Sequence, residues 1–165
     1  MDITQIERVA NELRARYNPN AVAPFPYIAL EAGYPGLHIF FEPMEEGLLG
    51  NLLEQDIGQI VIRVNSQQPV AKQHFTFGKL LGHALLHQDL LHEKKSIALT
   101  DHPIATTRDV FDVEASQFAD FLLLPTDLVT KAWYSLGKLE SCADVFCVTP
   151  ATFGVRMERL GLLST

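Results

Sequence analysis

The chain has 165 residues, with 20 acidic side chains against 13 Lys and Arg, for a formal charge of −7. Hydrophobic residues make up 47% and charged ones 20%, which excludes a disordered chain and fits one domain, 1–165, able to bury a core without disulfide or metal staples. The acidic balance argues against a protein whose main task is gripping nucleic acid or an anionic membrane.

Cys142 and Cys147 make no disulfide framework and read as free thiols of a reducing compartment. The polar opening Met1-Asp-Ile-Thr-Gln lacks a secretory signature, and no apolar run approaches the roughly 20 residues that span a bilayer. These features predict a soluble cytoplasmic protein and leave its oligomeric state open.

Ile3, Ile6, Val9, Ala10 and Leu13 recur at helical spacing over residues 2–17, and Asn18-Pro19-Asn20 ends that helix. A short helix is expected over 26–33, then apolar pieces at 38–41 and 47–49. Residues 58–64, Gly-Gln-Ile-Val-Ile-Arg-Val, are rich in β-branched side chains and predict a strand with at least one face on the core. A helix follows from 71 to about 91, with Phe77, Leu80, Leu81, Ala84 and Leu85 on its apolar stripe and Lys79, His83 and His87 on a neighbouring face. Another covers 110–124, with Val113, Phe118, Phe121 and Leu122 inward. Two short helices over 125–137 and 138–146 precede a last one over 149–160, where Thr149 caps and Pro150 sits in the first turn. The class predicted is α+β, a small sheet packed against several helices.

The chemistry-bearing segment is His74-Phe-Thr-Phe-Gly-Lys-Leu-Leu-Gly-His-Ala-Leu-Leu-His87. Two histidines four apart on a helix hold zinc when a glutamate beside the first supplies the base. His83 and His87 have that spacing, but Ala84 occupies the base position. Four residues earlier, Lys79-Leu-Leu-Gly-His83 has lysine at the first ligand position and leucine at the base. Neither register is a working metallopeptidase helix.

This segment resembles the active-site helix of the ImmA/IrrE family of metallopeptidases, approximately R-F-T-x-A-H-E-x-G-H-A-L-L-H. Phe75, Thr76 and the run Gly82–His87 match it. The strand Ile60–Asn65 is similar to the apolar strand ending in asparagine before that helix. Glu114-Ala-Ser-Gln-Phe-Ala-Asp-Phe-Leu-Leu-Leu-Pro125 resembles the family's E-A-x-x-F-A-x-x-L-L-x-P, and the segment Phe146–Leu162 resembles its closing F-x-V-S…R-L-x-x-L-G-L. The resemblance implies a compact zincin-like domain built around a central former active-site helix, with Glu114 as the third zinc ligand.

The departures from the family pattern fall on the chemistry. Lys79 replaces the first histidine ligand and Leu80 the catalytic glutamate, leaving His83 and Glu114 as the other former metal-site positions. Family peptidases polarise the scissile carbonyl with zinc and deprotonate a bound water with that glutamate. Leucine accepts no proton, so no catalytic residue is expected. The charges suggest a metal-free pseudo-site in which Lys79 pairs with Glu114 and His83 hydrogen-bonds nearby. Plainer readings make His83 and His87 structural, leave Glu114 pairing with Lys79 or Arg108, let Lys79 snorkel to solvent, and give His74 no chemistry.

The expected function is therefore a degenerate homologue that binds a helix-turn-helix repressor, or another protein segment, in the old substrate groove without cutting it. Relatives act in prophage, mobile-element and stress regulation, and the bound segment would lie as an added strand along the sheet edge. The alternative is an active zinc endopeptidase whose metal is held by His83, His87 and Glu114, or with His92 in place of Glu114, and whose water is activated by Asp89 or Glu93. No cofactor is expected otherwise. A third class, DNA reading by the 142–163 segment with Arg156 and Arg159, is disfavoured by the acidic balance.

Overall fold

The β-branched segment becomes an inner strand of a mixed sheet. The protein is seen in a computed structural model that describes residues 1–101 and 109–163; Arg108 lies outside them. In chain order the described elements are α1 (Ile3–Tyr17), α2 (Tyr27–Gly33), β1 (Leu37–Glu42), β2 (Leu48–Asp56), β3 (Gln59–Asn65), α3 (Val70–Leu86), α4 (Gln88–Lys94), β4 (Ser96–Thr100), α5 (Val110–Leu123), α6 (Thr126–Leu136), α7 (Leu139–Phe146) and α8 (Pro150–Arg159). The α+β class is as the sequence predicts.

The sheet order is β1-β3-β2-β4, with β3 parallel to β1 and antiparallel to β2. Ile39, Ile62, Leu52 and Ile97 stand in one row across the four strands. Because side chains alternate along a strand, that row and the next one, Phe41, Val64, Gly50 and Leu99, share the face on which α3 packs. Leu52, Ile62 and Val64 are fully buried there. Gly50 is required by this contact: a Cβ would lie 2.5 Å from the Arg63 carbonyl oxygen and 3.0 Å from Leu80 Cδ1.

Helices α3 and α5 meet along small residues. A Cβ at Gly78 would stand 3.0 Å from that of Ala119, and one at Gly82 would stand 3.1 Å from both Cα and O of Ala115. This close antiparallel approach carries the start of α5 past the end of α3. At the far end of α5, Arg156 is buried. Its Nε donates to the Leu124 carbonyl at 3.0 Å and its Nη2 to Thr126 Oγ1 at 3.1 Å, which ties α8 to the α5–α6 junction. Thr149 caps α8 as expected, its Oγ1 accepting from the Thr152 amide at 3.1 Å.

Two expectations need correction. The helix over 71–91 is two helices: His87, at φ −123° and ψ 44°, leaves the helical region, and α4 departs in a new direction with Leu91 buried beneath it. Strand β4 is absent from the sequence reading. Its five residues form a strand by pairing with β2, a long-range partner that local periodicity does not register. Cys142 and Cys147 are free. Among the described residues, no helix is long and apolar enough to cross a membrane.

Candidate functional site

The central helix α3 presents the sequence-predicted residues on two sides. Leu80, at the base position, points into the core, is fully buried and sits against Gly50 of β2. Its methyl groups fill that volume with hydrocarbon. Lys79 turns toward the start of α5, where its Nζ lies 2.7 Å from Asp112 Oδ1.

That contact corrects the expected Lys79–Glu114 pair. Asp112 is half-exposed, and Lys79 is a long side chain that can keep its ammonium near water while its stem is covered. Pairing at the rim avoids the desolvation that a fully buried ion pair incurs. Asp112 was missed because its partnership depends on the α3–α5 register, which the two glycines of α3 set and no local motif encodes.

Glu114 instead closes a buried chain of three side chains. His83 Nδ1 lies 3.0 Å from His87 Nδ1, and His87 Nε2 lies 2.8 Å from Glu114 Oε2. All three residues are at least nine-tenths buried, with 4%, 5% and 6% exposure respectively. The Met1 amino group reaches the other carboxylate oxygen. The Phe111 ring meets His87 edge-on, with centroids 4.9 Å apart, and the Asp109 side chain fixes the start of that helix by accepting from the Phe111 amide at 3.0 Å.

Burial pushes the His83 imidazole down to about 4, and the neighbouring His87 adds to the effect. For Glu114, burial acts upward, but hydrogen bonds from the amino terminus and His87 outweigh it and hold the carboxyl below its ordinary value. His83 is thus held as a neutral imidazole and Glu114 as a bonded carboxylate. Both ring nitrogens of His87 and both carboxylate oxygens of Glu114 meet a partner, which is what buried polar groups require.

This arrangement does not fit a zinc ion as it stands. Zinc takes several donors converging on one point. His87 spends its two ring nitrogens in opposite directions, one on His83 and one on Glu114, so the three donors form a line. Lys79 is spent on Asp112. Among the described residues, no group of three His, Cys, Asp or Glu is arranged to hold a metal ion.

The order of the elements and the spacing of the site along them find a counterpart among known families. A family profile, the IrrE N-terminal-like domain of peptidase family M78, matches residues 32–158. The chain belongs to the ImmA/IrrE family. The match runs from α2 to the last turn of α8, so it includes α3, α5 and the whole chain of buried side chains. No curated protein matches the chain.

The remaining ImmA/IrrE-site candidates separate clearly in space. Asp89 and Glu93 line a cavity beside His87, away from Lys79. His92 pairs outward with Glu54 at 3.0 Å, together with Lys95, and is not part of the buried chain. Arg156 is consumed inside the fold and Arg159 pairs with Asp120. The two arginines that gave the C-terminal helices a DNA-reading flavour are therefore both engaged within the domain.

Proposed function

We propose that this ImmA/IrrE-type domain is catalytically degenerate and binds a helix-turn-helix repressor, or another protein segment, in the former substrate groove without cleaving it. The observation that carries the reading is Leu80: at the position where the mechanism needs a proton acceptor stands a fully buried hydrocarbon packed on the sheet. The Lys79–Asp112 pair supports it, because it occupies the first former ligand position with an ammonium group. Strand β4 lies at the edge of the sheet, which supports an extended segment adding as a further strand. In this reading the protein needs no cofactor, does not grip nucleic acid directly, and acts in prophage, mobile-element or stress regulation.

The test is bound zinc per chain, by elemental analysis of tag-free protein purified without added metal or chelator. The expected result is no zinc, with none gained on dialysis against it. A Lys79→His, Leu80→Glu variant is then expected to take up zinc. Stoichiometric zinc in the unaltered protein, with cleavage of a repressor, would overturn the proposal.

That outcome belongs to a second reading, an active peptidase using His83, His87 and Glu114. The nearness of three buried candidate ligands favours it, as does the presence of Asp89 and Glu93 in the lining of the same cavity as His87. It requires the His87 ring to turn away from one of its partners.

A further inference from the structure

The cavity of about 580 Å³ at the C-terminal end of α3 is walled by Leu86, Leu90 and Phe111, has His87 in its lining, and carries Asp89 and Glu93 on one side. Those two carboxylates are four residues apart on α4, the spacing at which like charges on a helix repel. Among the described residues neither has an ion-pair partner. Of the cations near them, His92 and Lys95 both lie on Glu54, at 3.0 and 2.9 Å, and Lys94, the sequence neighbour of Glu93, makes no ion pair among the described residues. The structure thus holds a recess of mixed lining, with Leu86, Leu90 and Phe111 as its apolar part and two carboxylates that have no ion-pair partner among the described residues.

We propose that this recess receives a basic side chain, arginine or lysine, from the bound protein segment. A long aliphatic stem would lie against Leu86, Leu90 and Phe111, while its cationic head would meet Asp89 and Glu93. A purely apolar side chain would leave the two carboxylates without a counter-charge, and an acidic one would be repelled. The inference rests on the protein-binding reading above and adds to it the chemistry of one anchoring residue. It also gives the domain's acidic surface a role in choosing its partner.

The experiment is a titration of the full chain, isotopically labelled, with three amidated and acetylated peptides, Ala-Leu-X-Leu-Ala, where X is arginine, norleucine or glutamate. Amide shifts are followed by NMR. The arginine peptide is expected to shift residues 85–93 and 111 and to bind about tenfold tighter than the norleucine peptide, as two partly exposed ion pairs imply. The Asp89→Asn, Glu93→Gln double variant, altered only at exposed side chains, is expected to lose that preference while keeping the norleucine affinity. Equal binding of arginine and norleucine peptides overturns the basic-residue inference but leaves the protein-binding reading standing. An arginine preference that survives in the double variant, or shifts that fall elsewhere, overturns it too. If no peptide binds at millimolar concentration, the basic-residue inference is overturned, while the protein-binding reading is judged by its own zinc test.

Discussion

His87 Nε2 stands 2.8 Å from Glu114 Oε2, and both side chains are buried. The contact joins the end of α3 to the first turns of α5, so it couples two helices as well as two groups. Removing one member leaves a buried partner unpaired. His87→Ala is expected to cost about 3 kcal/mol in urea unfolding. A double-mutant cycle with Glu114→Ala should give a coupling above about 1 kcal/mol, since neighbours in one network are not additive. A coupling near zero would deny the contact.

Acid should weaken the domain through His83. Its folded value, about 4, lies below the ordinary 6.5 because burial, then His87, disfavours the charged ring. The unfolded chain therefore binds the proton more readily in that window, and stability falls as pH drops from 6.5 toward 4, by up to about 3 kcal/mol. Glu114, held below its ordinary value, acts in the same direction at lower pH. Denaturation midpoints from pH 7.5 to 4 check this, and His83→Asn should flatten the upper part of the slope.

Replacing Lys79 tests the rim position of its ion pair. Lys79→Met removes a partly exposed partner of a half-exposed carboxylate, so the expected loss is within about 1 kcal/mol. A buried Lys79–Glu114 pair would instead have shown a loss of several kcal/mol. Thermal unfolding of the variant separates the two, and a large loss would contradict the Asp112 assignment.

The helix interface predicts a further cost. Gly82→Val would press a branched side chain on the backbone of Ala115, already 3.1 Å from an added Cβ. Overpacking of this kind costs roughly 1–3 kcal/mol. Because Gly82 also sets how α5 passes α3, the variant should disturb the NMR signals of His83 and His87. A variant of unchanged stability would show that the helices can separate without penalty.

Much of this protein was written in its local pattern. The apolar stripe of α3, the β-branched run of β3 and the Thr149-Pro150 start of α8 each act within a few residues of themselves, and they formed where the sequence predicts. The residues Lys79 and Leu80 are equally local, so the departure from the family's metallopeptidase motif is legible in the sequence alone. Other features had no such signal. The break at His87 follows from Leu91 turning back to the core, and β4 exists because β2 offers it a ladder. The partners of Lys79, His87 and Glu114 were decided by the approach of α3 to α5 across Gly78 and Gly82. A charged side chain meets whichever group the packing of distant helices brings within about 3 Å, and that distance is a property of the tertiary structure alone.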